Sequence, residues 1–200
     1  MRQRGFTVVE LTMVVLIIGI LSTLAGVQLL RSQLVARDKE RADDVLTIAS
    51  FFENAYKTGQ PDGVMIPPGD SNTSAVPLGY PSTALISNQS DTQSQAILGA
   101  IDPLALKSPL KKAFSLTTAT NTTNLAGTAV TDIRNNDNYI YQPLTDSGSL
   151  CTVANSLNVN QTVIAPRLDD ACVQFKIFYV SEATNTWQVK KSLFSTTNGL

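Results

Sequence analysis

GFTVVE at residues 5–10 runs without a break into LTMVVLIIGILSTLAGVQLL at residues 11–30, and those last twenty residues hold no charged side chain. In a helix rising 1.5 Å per residue, about 20 apolar residues cross a hydrocarbon core of about 30 Å. Arg2 and Arg4 precede the run, and the excess of positive charge on that side predicts a cytoplasmic N-terminus with everything after residue 30 outside. A plain signal anchor or a cleaved secretory signal are the simplest readings. An ordinary h-region is about 7–15 residues long and ends at a small-x-small site in a polar stretch. No such site follows this run, so the segment is expected to remain on the chain. A plain anchor does not explain Glu10. A charged side chain costs about 2.5–3.5 kcal/mol at the bilayer centre, less toward the interface, and normally marks function. Arg2 and Arg4 belong with the headgroups, so the expected counter-charge for Glu10 lies on another molecule.

Working outward, the charge of the chain is segregated. The 200 residues carry 15 basic and 16 acidic side chains, a net charge of -1, no histidine and two cysteines. Without histidine there is no Ser-His-Asp or Cys-His machinery and no His-ligated metal or haem. Two cysteines cannot build a four-cysteine cluster. The near-neutral balance argues against a dedicated nucleic-acid binder. Residues 1–5 are a basic cap and residues 6–30 carry Glu10 alone. Residues 31–59 hold five basic and five acidic residues, and the remainder is mildly acidic.

From Arg31 the helix is expected to continue. Leu34, Ala42, Val45, Ala49, Phe52 and Tyr56, with Ile48 and Ala55 beside them, recur at the three-to-four spacing of one apolar stripe. The alternating charges of RSQLVARDKER (residues 31–41) read as a solvated face. Gly59 and Pro61 end the helix. Residues 60–137 are rich in Pro, Ser, Thr and Asn and read as loop, with short helices over 94–100 and 108–114. Residues 138–144 (NYIYQPL), 172–181 (CVQFKIFYVS) and 186–194 (TWQVKKSLF) read as three antiparallel strands. In the second, Val173, Phe175, Ile177 and Tyr179 share one side and Gln174, Lys176 and Phe178 the other. Trp187, Phe175 and Tyr139 read as packing residues. The expected fold is α+β: a long N-terminal helix, half transmembrane and half amphipathic, packed on a small antiparallel C-terminal sheet.

The segment RQRGFTVVELTMVVLIIGILSTLA resembles the class III signal and N-terminal helix of type IV pilins and pseudopilins. It has a short basic leader ending in Gly5, then Phe6, Thr7 and Glu10, then an unbroken apolar helix. The likeness is close over residues 1–30 and loose over 31–58. It implies a pilin-like fold, cleavage by a prepilin peptidase between Gly5 and Phe6, and N-methylation of the new Phe6 amine. In a stack of copies, Glu10 of one would meet the Phe6 amine of the next, a pair that sets register more than it adds stability. Many major pilins have a proline in mid-helix, where the helix melts on assembly. Here there is none before Pro61, only Gly19 and Gly26, so pilin, minor pilin and pseudopilin stay open.

The domain plan that follows is a leader (1–5), a polymerisation helix (6–30), an amphipathic helix (31–59), a variable connecting region (60–137) and a sheet with a disulfide (138–200). Cys151 and Cys172, in an exported chain, favour a disulfide. It would close a loop worth about 3 kcal/mol, whereas a redox pair would be expected at CxxC spacing. Asp132, Asn135 and Asp137, with Asn138, are oxygen-rich and could hold calcium, although turn chemistry explains them as well. Lys107, Lys111, Lys112, Lys190 and Lys191 could contact DNA or simply be solvated. Asn72, Asn88, Asn121 and Asn160 fit N-x-S/T. No cofactor is expected and no catalytic constellation is found. The implied partners are other copies, other pilins, the peptidase, the membrane, and an assembly platform with its ATPase. The implied product is an extracellular pilus-like filament, with a type II secretion pseudopilin as one alternative. An anchored extracytoplasmic binding domain is the alternative of another class.

Overall fold

A computed structural model describes residues 7–58, 80–87, 92–152 and 172–193. Helix α1 runs Val8–Thr58, 51 residues, or about 77 Å of unbroken helix. It passes Gly19 and Gly26 without interruption, and a side chain at either position would meet no other described residue. The two-strip reading of the helix follows from its burial. Every described side chain from residue 7 to residue 33 is exposed, whereas Arg41, Val45, Ile48, Ala49 and Phe52 are buried.

Helices α2 (Thr83–Ser87) and α3 (Thr92–Gly99) follow, then strands β1 (Leu116–Thr118), β2 (Tyr139–Leu144), β3 (Gln174–Ser181) and β4 (Thr186–Lys191). The strands form one sheet in the order β1-β2-β3-β4. The antiparallel pairs are as expected, with Ile140 opposite Phe178 and Phe178 opposite Val189. Strand β1 is an addition. It pairs parallel to β2, Leu116 opposite Tyr139, so the sheet is mixed rather than wholly antiparallel. Residues 115–124 looked like loop because three residues of Leu-Thr-Thr have no measurable alternation; their pairing is supplied by β2. Residues 108–114 form turns rather than a helix. Lys107 bridges Phe114 and the Ser115 N–H donates to the Leu106 carbonyl at 2.8 Å. The Leu110 N–H goes to the Asp137 carboxylate at 3.0 Å, so tertiary acceptors replace the helical ones.

The parallel pairing forces a crossover from β1 to β2, and that crossover decides what the far face of the sheet meets. On the near face, Phe52 of α1 lies 4.7 Å from Tyr141 and 5.9 Å from Phe175 between ring centroids. On the far face, Phe178, Val180 and Trp187 pack with Val130, Leu125, Ala126 and Ile133 of the crossover. Phe178, expected on the polar side of its strand, is therefore fully buried. Phe175, Tyr139 and Trp187 are core residues as expected, the first two near α1 and Trp187 in this second cluster. Cys151 and Cys172 form a disulfide with their Cα atoms 5.7 Å apart. Their carbonyls accept from the Thr83 N–H at 3.0 Å and the Tyr80 N–H at 2.7 Å, which fastens the start of α2 to the sheet.

Candidate functional site

Thr7 and Glu10 build the start of α1. Thr7 Oγ1 accepts from the Glu10 N–H at 3.3 Å, while the Thr7 N–H donates to the Glu10 carboxylate at 2.9 Å and the Thr7 hydroxyl donates to it at 3.0 Å. This reciprocal pair is a capping box, which satisfies helix-end donors that have no partner within the helix. Its signature, Thr-x-x-Glu before an apolar run, was legible in the sequence. The expectation that Glu10 has no partner within the chain is corrected here: it has a neutral one. Its negative charge has no cation among the described residues. Gly5 and Phe6 lie outside the described residues, so the cleavage point and the amine are read from sequence alone.

Beyond the cap, the apolar run is open on every side. Val8 is 77% exposed, and Leu16 and Leu30 are both 65% exposed. The polar side chains within it turn inward on their own helix: Thr12 donates to the Val9 carbonyl, Ser22 to Ile18 and Thr23 to Ile20, at 2.7–2.9 Å. A hydroxyl that bonds its own backbone can enter lipid or an apolar interface without leaving a donor unmet. The helix is long and apolar enough to cross a membrane.

Where α1 leaves that segment it is locked to the body by charge. Arg41, expected on a solvated face, is fully buried. Its guanidinium donates to Asp137 at 2.7 Å, to Asp38 at 3.0 Å and to Glu182. Arg37 adds a bidentate pair to Glu182 at 2.9 and 2.7 Å. Asp38 accepts from the Glu182 and Ala183 N–H groups and the Ser181 hydroxyl, so it caps the β3–β4 turn. Asn185 closes that turn at φ 52°, a conformation asparagine tolerates. The hydrogen bonds from Arg37 hold the Glu182 carboxyl below its ordinary pKa, more than offsetting its burial. Burial lowers the pKa of Arg41, but the bonds from Glu182 and Asp137 outweigh it and leave the guanidinium above its usual value. Asp44, which accepts from the Tyr139 hydroxyl at 2.6 Å, is pushed up to about 6, chiefly by burial and then by Glu40, Asp43 and Asp102.

The remaining candidates are taken up in structure. Asp137 belongs to Arg41, and Asp132 caps its own turn through the Asn135 N–H at 3.1 Å. The Lys111 ammonium binds the Asn135 carbonyl at 3.1 Å and Asn138 Oδ1 at 2.7 Å, so the oxygen-rich turn already holds a cation. Among the described residues no set of side chains is grouped to hold a metal ion. The lysines do not form one patch: Lys107, Lys111 and Lys112 precede β1 at one edge of the sheet, and Lys190 and Lys191 end β4 at the other. Asn121 lies in an exposed turn, and Asn72, Asn88 and Asn160 fall outside the described residues.

The family described as the prokaryotic N-terminal methylation motif matches residues 1–26. This is the class III prepilin signal of type IV pilins and pseudopilins, and it marks structural proteins of that type. No curated protein and no solved structure matches the chain.

Proposed function

We propose that this protein is a subunit of a type IV pilus-like filament, cut between Gly5 and Phe6 by a prepilin peptidase and held in the cytoplasmic membrane by α1 until it assembles. The observation that carries this reading is a carboxylate without a cation among the described residues, Glu10, at the head of an apolar helix that the other described residues leave uncovered. In lipid, the uncovered face is solvated by acyl chains. In a filament, the same face packs against copies of itself. The amine created at Phe6 supplies the missing cation, and its burial beside Glu10 fixes the offset between copies. The body then hangs on the outside, carried by the Arg41 clamp. A secretion pseudopilus needs the same chemistry of its subunit, so the support is equal for both.

The capping box shapes the test. Glu10→Gln keeps an acceptor for the Thr7 N–H and so keeps the cap, but removes the charge. The variant is expected to reach the membrane at wild-type level, to be cleaved after Gly5, and to be lost from sheared filaments. Thr7→Ala removes the cap at a cost of about 1 kcal/mol and should still assemble. Mass spectrometry of the mature N-terminus should find a methylated Phe6. An intact leader on every molecule, or filaments of normal yield from Glu10→Gln, would defeat the reading.

A further inference from the structure

Helix α1 is unbroken from the apolar run into the body, so a membrane around residues 8–30 fixes which end of the body faces it. Strand β3 runs toward that membrane: Phe175 lies against Phe52, and farther along the strand the Ser181 hydroxyl donates to Asp38. Strand β2 runs away from it, with the Tyr139 hydroxyl on Asp44 and Tyr141 against Phe52, and β1 and β4 run the same way as β2. The underside of the body is therefore the β3–β4 turn, the segment leading into β2 and the turns leading into β1. The last two carry Arg134 and Lys107, Lys111 and Lys112, all exposed. Lys112 closes its turn at φ 50°, in the left-handed region, with its N–H on the Ser108 carbonyl at 2.8 Å. Lys111 joins the two segments through Asn135 and Asn138, whose oxygens are neutral. None of the four cations has an ion pair among the described residues. Apolar side chains lie among them: Leu104 is 71% exposed, and Phe114, 39% exposed, bridges Lys107. Asp38, Asp137 and Glu182 at this end are held by Arg37 and Arg41, which leaves Asp102 and Asp132 as the exposed acids of these turns. On α1, Arg31 and Lys39 are balanced by Glu40 and Asp43.

From this geometry we infer that the basic underside of the body is a docking surface for the anionic head groups of the phospholipids around α1. The inference rests on the membrane-spanning part of the proposed function and adds what the body touches before assembly. Leu110, tied to Arg41 through Asp137, stands about 16 Å beyond Leu30 along α1. Head groups fill about 5–7 Å of that height. The turns lie to one side of α1, so a helix tilt of about 20° toward the sheet lowers them, and the four-carbon stem of lysine reaches across the rest. Attraction to an anionic surface acts within a Debye length of about 8 Å. Leu104 and Phe114 suit the same layer, where apolar side chains enter the boundary between head groups and acyl chains. The contact holds the body upright on lipid and breaks when the subunit leaves the bilayer.

The test uses the full-length chain in nanodiscs of phosphatidylcholine alone and of phosphatidylcholine mixed with phosphatidylglycerol. Acylation of the lysine amines is followed residue by residue by mass spectrometry. With the anionic lipid, Lys107, Lys111 and Lys112 should react about fivefold more slowly, while Lys190 and Lys191, at the far end of β4, should keep their rate. High salt should abolish the difference. Lys107→Gln with Lys112→Gln should return Lys111 toward its rate in phosphatidylcholine, in a chain whose Arg41 clamp is untouched. Equal rates for Lys107, Lys111 and Lys112 in the two lipids, or slowing that extends equally to Lys190 and Lys191, overturn this surface and leave the membrane reading standing. A chain that alkaline carbonate strips from its native membrane overturns both.

Discussion

Arg41 occupies the seam between α1 and the sheet with three carboxylates around it. Removing one partner of a buried ion group leaves the others uncompensated, at a cost of about 3–5 kcal/mol. Arg41→Met should lose that much, read as a shift in the urea midpoint of the full chain in detergent, and Arg41→Lys should not recover it, because a compact ammonium lacks the span of the guanidinium fork, whose three nitrogens each reach a different carboxylate. The pH dependence has two limbs of opposite sign. Glu182 titrates below its ordinary range when folded, so its contribution is present above its unfolded pKa of about 4.5 and is lost as acid protonates the folded clamp. Asp44 titrates at about 6 against an ordinary 3.8. Its folded form holds the proton longer, so stability falls as pH rises between those values. Asp44→Asn should therefore raise stability above about pH 6, by about 1 kcal/mol after allowing for solvent screening. It should leave stability unchanged below about pH 4, which a thermal melt at each pH would show. At this scale the sequence could be read unevenly. Thr7 and Glu10 are three apart, the spacing that signals a cap, yet Glu10 was expected to find its partner only on another molecule. Arg41 was not, because its charge pattern matches a solvated face and its carboxylates lie up to 141 residues away.

Helix α1 and strands β2, β3 and β4 follow patterns set by near neighbours, the 3.6-residue stripe from Val45 to Phe52 and the alternation through Phe175 and Ile177. Their existence was therefore legible, with ends displaced by no more than three residues. Strand β1 and the turns over 108–114 were not, since each is held by partners distant in sequence, Tyr139 to Tyr141 for the first and Asp137 for the second. The disulfide is a link of the same kind. It closes a span of 21 residues, and its loss through Cys151→Ser with Cys172→Ser should cost about 3 kcal/mol. Because the two half-cystine carbonyls hold the Tyr80 and Thr83 amides, those two amides should lose hydrogen-exchange protection first in the variant. Equal protection with and without the disulfide would mean that the sheet alone positions α2.

Taken whole, the molecule is an α+β body fastened to the second half of a rod whose first half is left exposed by the other described residues. Extraction should reflect that: the unassembled chain should resist alkaline carbonate and leave the membrane only with detergent, while sheared filaments should be detergent-free and retain the clamp. The apolar run, its length, the acid at its head and the basic residues before it are local properties. They were determined by the sequence alone, because hydrophobicity and helical period need no partner to be read. What only the tertiary structure decided is which charges the fold consumes and which it leaves outside. Arg37, Arg41, Asp38, Asp137 and Glu182 are paired within the body, whereas Glu40, Asp43, Lys176, Lys190 and Lys191 have no ion pair among the described residues. Burial depends on distant segments meeting, and a charge carries no mark in sequence of whether its partner lies across the fold or on another copy.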